Sequence, residues 1–324
     1  MNTRKALVVG IDNYPRCPLA SCCNDSEAIK DLLANHENGD PNFDVWKKDN
    51  VQTKADLRNL IQRCFSGDAD VALFYYSGHG QIDSVGGYLV TPDYQEGDWG
   101  VSLQEILTIA NDSKCKERII ILDCCYSGLM GDVNTKGQNT AEINEGVTIL
   151  TASRKDETAI GSNDYSVFTA LLLEALKGGA ADILGHITVG SIYAFIDKAL
   201  GSWEQRPVFK TNVTRFTSLR DVEPQVDIKI IRNIGKYFNS ENSQFSLDPS
   251  FEWTNSPQIK HEYVEPYAKK DNTAAFSDLQ KLEGIGLVVP VGEEHMYFAA
   301  MNSKSCQLTA VGKHYWNLVK KGKI

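Results

Sequence analysis

Residues 1–222 are predicted to form an α/β domain around a mainly parallel sheet, on three observations. Four short runs, Lys5–Gly10 (KALVVG), Val71–Tyr76 (VALFYY), Arg118–Leu122 (RIIIL) and Val147–Leu150 (VTIL), are apolar at nearly every position. Strands read this way when helices cover both faces of their sheet. Segments of helical apolar period alternate with these runs, the order expected of β-α-β units. Polar and Gly-rich residues follow three of the runs directly, as loops at the carboxyl ends of parallel strands do.

Helix starts are legible between the strands. Thr53-Lys54-Ala55-Asp56 and Ser102-Leu103-Gln104-Glu105 place a hydroxyl three residues before a carboxylate, which satisfies the opening amides of a helix. Asp25 precedes Ala28, Ile29, Leu32 and Leu33, an apolar stripe at helical period. Further helices are expected over 166–177 and 188–199, and a weaker strand at Phe43–Trp46. Residues 129–146 hold few large apolar side chains and many Gly, Asn and Thr, so a long exposed loop is expected there.

Past residue 222 the pattern changes. Residues 223–272 are expected to be a partly ordered connector, polar but interrupted by Phe245, Phe251, Trp253 and Tyr263. Residues 273–324 then read as helix (AAFSDLQKLEGIG), strand pair (LVVPVGEEHMYFAA) and helix (LTAVGKHYWNLVKKG), a small α+β winged-helix-like domain. No internal repeat is found.

Composition removes several classes. With 42% hydrophobic and 23% charged residues the chain is neither disordered nor collagenous. No apolar run approaches the roughly 20 residues needed to span a bilayer, and Met1–Lys5 leads straight into a strand rather than a signal-peptide core. A cytoplasmic protein without membrane insertion is expected. The eight cysteines, at 17, 22, 23, 64, 115, 124, 125 and 306, contain no C-x-x-C pair, so neither a disulfide framework nor a zinc site is favoured. No metal and no cofactor is expected. Residues 1–224 carry 21 basic against 31 acidic side chains, and residues 225–324 carry 12 against 11. The acidic front part suits a basic ligand and disfavours nucleic acid, and the balanced tail offers too little positive charge for several phosphate contacts.

The three strand ends carry the chemistry. Lys5–Gly10 leads into Ile11-Asp12-Asn13, Val71–Tyr76 into Ser77-Gly78-His79-Gly80, and Arg118–Leu122 into Asp123-Cys124-Cys125-Tyr126-Ser127-Gly128. A Cys and a His delivered to one sheet edge can exchange a proton, and the resulting thiolate attacks a carbonyl. Gly78, Gly80 and Gly128 let a substrate backbone approach, and amides at such turns can bind the oxyanion. Taken singly, Ser-Gly-His-Gly is an ordinary flexible loop and Cys-Cys after a strand is ordinary packing. Their joint occurrence points to acyl transfer by a cysteine nucleophile.

Tyr75-Tyr76-Ser77-Gly78-His79-Gly80 and Ile121-Leu122-Asp123-Cys124-Cys125-Tyr126-Ser127-Gly128 resemble the His and Cys motifs of the caspase-like cysteine peptidases, most closely the metacaspase and bacterial caspase-like branch. The likeness spans roughly residues 4–215, and the separation of the two residues agrees with the spacing of about fifty residues known for caspases. It implies a caspase-like three-layer sandwich with a mainly parallel central sheet. It makes His79 the general base and Cys125 the nucleophile, with the amides of Gly80 and Cys125 at the oxyanion. It also implies an acidic pocket of Asp25, Ser77 and Asp123 that receives Arg or Lys before the cleaved bond. Two carboxylates there favour a cation and repel the Asp that animal caspases select. Asp25 reads equally as the N-cap of the helix that follows it.

Two positions depart from the usual Asp-Ser-Cys-His-Ser-Gly: Cys124 stands for Ser and Tyr126 for His. Strand alternation puts Asp123 and Cys125 on one side and turns Cys124 into packing. Self-cleavage within 129–155 at Lys136, Arg154 or Lys155 is expected from loop exposure and the acidic pocket. The function implied is a cysteine endopeptidase cutting protein substrates after Arg or Lys, regulated within a bacterial immune or cell-death system, with a gasdermin-like pore former as one class of substrate. The C-terminal module is expected to dock a regulatory protein. The competing readings are a winged-helix DNA-binding regulator and a catalytically silent scaffold.

Overall fold

The structure, a computed structural model, describes residues 3–124, 143–152, 164–201, 207–259 and 264–324. The chain divides into two compact units, Met1–Glu223 and Pro224–Ile324. The first runs β1 (Arg4–Gly10), α1 (Cys22–Ala34), β2 (Asp44–Asp49), α2 (Lys54–Phe65), β3 (Val71–Ser77), β4 (Gly80–Ile82), β5 (Gly87–Gln95), β6 (Asp98–Ser102), α3 (Leu103–Asn111), β7 (Glu117–Asp123), β8 (Val147–Thr151), α4 (Val167–Glu174), β9 (His186–Ile187), α5 (Val189–Leu200), β10 (Val208–Asn212) and β11 (Arg220–Asp221).

A six-stranded sheet in the order β10-β8-β7-β3-β1-β2 is its centre. All neighbours are parallel except the edge pair of β8 with β10. Alternate side chains of the same strands enter two separate cores. Ala6, Val8, Leu73, Tyr75, Ile119 and Ile121 pack with residues of α1, α4 and α5. Leu7, Val9, Phe74, Tyr76, Ile120 and Leu122 pack with residues of α2 and α3. Removing a large apolar side chain from water is worth about 1.5–3 kcal/mol, so burial on both faces explains why these strands read as unbroken apolar runs. The result is a three-layer sandwich, a mainly parallel sheet between two layers of helices.

Arg118 is the one buried charged residue in those runs. Its guanidinium donates to the carbonyls of Ala110, Cys115, Lys116 and Glu145 at 3.1, 2.9, 3.0 and 2.8 Å, tying the end of α3 to the start of β7 and the approach to β8. Both capping signals form: Thr53 and Ser102 accept from the amides of Asp56 and Glu105.

Several elements had no readable signal. Strands β4, β5 and β6 form a separate antiparallel sheet beyond the end of β3. Pro92 and the register shift after Val90 break their alternation. β10 and the β9–β11 pair are short. The helix expected over 166–177 is α4, which passes at Ala175–Gly179 into a π-helical turn. Of the expected loop 129–146, residues 129–142 lie outside the described residues, as do Lys136, Arg154 and Lys155.

The second unit comprises α6 (Ile228–Tyr237), β12 (Gln244–Ser246), a 3-10 turn at Pro249–Phe251, α7 (Lys270–Gly284), β13 (Val288–Val291), α8 (Met296–Met301), β14 (Ser305–Leu308) and α9 (Ala310–Lys320). Residues 287–300 were expected to be a strand pair, but only 288–291 is strand. Met296, Ala299 and Ala300 are buried at i, i+3 and i+4, a helical period, and β13 pairs instead with β14. The stretch 223–272, expected as connector, contributes α6 and β12, and β12 pairs with β14 to complete an antiparallel sheet in the order β12-β14-β13. Its aromatic residues are what anchor it. Phe245 packs edge-on against Tyr237, Phe238 and Phe251, and Phe251 against Phe276, whereas Trp253 is exposed and Tyr263 lies outside the described residues.

Candidate active site

Parallel register brings three strand ends level. Gly10 stands opposite Ser77, and Ser77 opposite Asp123. Ladder bonds continue past the strands, Ile11 N–H donating to the Ser77 carbonyl at 3.0 Å and Gly78 N–H to the Asp123 carbonyl at 3.3 Å. The loops after β1, β3 and β7 therefore leave from one edge, as the sequence requires for a shared site.

Asp12 builds the first loop. Its carboxylate accepts the amides of Cys22 and Cys23 at 2.9 and 3.0 Å, and so occupies the opening of α1. Its carbonyl accepts the amides of Tyr14 and Leu19. Asp25 is thus not the N-cap: it lies inside α1, 0% exposed, and Ser21 holds the cap position. The cap is supplied from outside the helix because Asp12 reaches it across the strand end.

The same loop orients His79. The imidazole Nε2 lies 2.7 Å from the carbonyl oxygen of Cys17. A carbonyl only accepts, so Nε2 carries the hydrogen and Nδ1 is the basic nitrogen. The Tyr14 ring stands edge-on to the imidazole, with centroids 4.5 Å apart. Its hydroxyl accepts the His79 amide at 3.1 Å, while the Tyr76 hydroxyl, 3.0 Å from that of Tyr14, donates to the His79 carbonyl at 3.0 Å. Gly78 fits beneath because a Cβ there would meet the Tyr76 and Tyr14 hydroxyls at 2.6 and 2.7 Å. Gly80 opens β4 opposite Leu89.

Asp25, Ser77 and Asp123 are brought together. Ser77 Oγ donates to Asp25 Oδ2 at 2.8 Å, and the Ser166 amide donates to Asp25 Oδ1 at 3.1 Å. Asp123 Oδ2 accepts from the hydroxyls of Ser166 and Thr169, the latter at 2.6 Å. Burial pushes the Asp25 carboxyl up to about 8, and the neighbouring Asp123 adds to the rise, while the Ser77 and Ser166 donors oppose it. Burial pushes Asp123 up as well, against the hydroxyls of Ser166 and Thr169. Among the described residues neither carboxylate is paired with a Lys, Arg or His.

Cys125 lies outside the described residues. Cys124 is buried in the core on the Leu122 side, where alternation puts it. Burial pushes the thiols of Cys22, Cys23, Cys64 and Cys306 up, the last three to about 12, which keeps each of them protonated. Among the described residues no cluster of three or more His, Cys, Asp or Glu could hold a metal, and no helix is long and apolar enough to cross a membrane.

Sequence reasoning missed Tyr14, the Cys17 carbonyl, Ser166 and Thr169. Ser166 carried a signal, a hydroxyl just before a helix, but that signal reads only as a cap. The others have no local pattern.

The fold and these strand ends define a caspase-like cysteine peptidase. A family model, the caspase domain of peptidase C14, matches residues 3–217, and the chain belongs to that family. No curated protein matches it. Solved structures it is similar to include caspase-1 from Spodoptera frugiperda, at 14% identity and a TM-score of 0.49 over 68% of this chain and 91% of that one. A structure described as pro-sf-caspase-1 is 13% identical, with a TM-score of 0.48 over 67% of this chain and 94% of that one. A Geobacter sulfurreducens protein is 16% identical, with a TM-score of 0.47 over 68% and 98%.

Proposed function

We propose that the protein is an endopeptidase cleaving after Arg or Lys, with His79 as general base, Cys125 as nucleophile and Asp25, Ser77 and Asp123 as the pocket for the basic side chain. The observation that carries this reading is the pair of buried carboxylates, Asp123 at the end of the strand that leads into Cys125 and Asp25 in α1 bonded to Ser77 at the end of the strand that leads into His79, held by hydroxyl and amide donors alone among the described residues. Two such groups cannot both ionise cheaply in a low-dielectric site, and an entering guanidinium or ammonium removes that cost. An Asp side chain would add a third like charge.

The proton steps follow from the histidine. With Nε2–H held by the Cys17 carbonyl, Nδ1 receives the thiol proton, and the thiolate forms a C–S bond to the scissile carbonyl carbon. The amides of Gly80 and Cys125 stabilise the oxyanion. The imidazolium returns its proton to the leaving amine, and a water then hydrolyses the thioester with His79 again as base. Tyr14 and Tyr76 hold the histidine backbone during both transfers.

The second unit is proposed to dock a regulatory protein, supported by its nearly balanced charge, which disfavours a nucleic-acid partner. A role in a bacterial immune or cell-death system, with a gasdermin-like substrate, rests on family resemblance alone. Fluorogenic peptides with Arg, Lys or Asp before the cleaved bond, compared on the full chain and Cys125→Ala, test the reading. Turnover of Arg and Lys peptides that is lost in Cys125→Ala is expected. Preference for Asp, or turnover that survives the substitution, overturns it.

A further inference from the structure

We propose that Ser166, the N-cap of α4, and Thr169, in its first turn, are positioning residues for specificity, holding Asp123 and Asp25 as a joined pair of acceptors for the basic side chain. The proposal rests on the specificity reading above and adds residues to it that belong to none of the motifs.

The hydrogen bonds can be assigned a direction. Thr169 has one hydroxyl proton, and Asp123 Oδ2 takes it at 2.6 Å. The Tyr75 hydroxyl, 2.5 Å from the same Thr169 oxygen, must therefore be the donor to it. Ser166 Oγ accepts the Thr169 amide at 3.0 Å, so its own proton also goes to Asp123. The Ser166 amide points at Asp25 Oδ1 at 3.1 Å. One residue, Ser166, thus ties the two carboxylates together through its hydroxyl and its amide, and the Tyr75–Thr169 chain braces one of them from behind.

Packing does not explain these hydroxyls. Thr169 is 0% exposed in a helix reading VFTALLLE, beside Phe168, Leu172 and Leu173 of the same core. A valine would fill the space but leave the buried Tyr75 hydroxyl without its acceptor and Asp123 without a donor, and a buried hydroxyl is unfavourable unless it is bonded. What the hydroxyl does is donate to a carboxylate that burial would otherwise neutralise. Without it, Asp123 keeps a proton to higher pH and accepts a cation less well.

The test uses the full chain carrying Thr169→Val or Thr169→Ser, with a peptide bearing Arg before the cleaved bond and its citrulline counterpart, which has the same shape without the charge. In Thr169→Val, kcat/KM for Arg is expected to fall about tenfold, mainly through KM, with its acidic limb moved to higher pH. The citrulline rate is expected to change less than about twofold, and Thr169→Ser to restore the Arg rate. Should Thr169→Val fail to fold, Ser166→Ala against Ser166→Thr is read by the same criteria. Equal losses on both peptides, or an unmoved acidic limb, overturn the positioning role. A wild-type enzyme that does not distinguish Arg from citrulline overturns the specificity reading itself, and this proposal with it.

Discussion

Asp25→Asn is expected to stabilise the folded chain at alkaline pH while removing turnover after Arg. Asp25 is 0% exposed and its carboxyl is pushed from 3.8 up to about 8 by burial and by Asp123. A group whose folded pKa is raised contributes stability that is fully present below its unfolded pKa and lost as pH rises through the folded one. From about pH 4 to about pH 8 the folded carboxyl therefore keeps a proton that the unfolded one has given up, and over the part of that window above about pH 5.5 the loss, at about 1.4 kcal/mol per pH unit, has an upper bound of about 3.5 kcal/mol. Asn does not titrate, and with its oxygen in the place of Oδ1 it accepts the Ser166 amide while its N–H group, in the place of Oδ2, donates to the Ser77 oxygen. A gain of about 2 kcal/mol at about pH 8.5 corresponds to roughly 4–8 °C in Tm for a unit of this size. The assay is thermal unfolding of wild type and variant at about pH 5.5 and about pH 8.5, with kcat/KM on the Arg peptide measured beside it. The Tm difference should open with pH, and kcat/KM should fall about a hundredfold, since one charged hydrogen bond to a guanidinium is worth about 1.5–3 kcal/mol. A Tm difference independent of pH would refute the buried-pair argument. Unchanged turnover would refute the pocket.

Two further substitutions probe the scaffold. Arg118→Met leaves four main-chain carbonyls without their donor, and should cost about 3 kcal/mol or more in denaturant unfolding, with KM unchanged in the protein that remains folded. Gly78→Ala drives a Cβ into the Tyr14 and Tyr76 hydroxyls that hold His79, so kcat should fall about tenfold or more while Tm drops by a few degrees. Activity equal to wild type would mean that the tyrosine pair does not position the histidine.

The layers were readable because double-sided burial writes itself into adjacent residues. VALFYY and the IIIL that follows Arg118 are apolar throughout since Leu73 and Ile121 enter one core while Phe74 and Leu122 enter the other. The antiparallel sheet β4–β5–β6 was not readable, because β4 is only three residues long and β5 is interrupted by Pro92 and a register shift. In the second unit, Met296–Met301 misled in the same way: a short apolar run serves a strand or a helix equally until neighbours choose its period.

By itself, then, the amino-acid order determined the sheet, its helices and the three strand ends where Asp12, His79 and Asp123 emerge, since each depends on residues within a few positions of one another. Tertiary structure alone decided what those ends do. It gave the opening of α1 to Asp12 rather than Asp25, aimed the Cys17 carbonyl at an imidazole 62 residues away, and set Ser166 between two carboxylates 141 and 43 residues distant. Hydrogen bonds across such separations depend on where the packed strands and helices bring their ends, and they leave no period for a local reading to find.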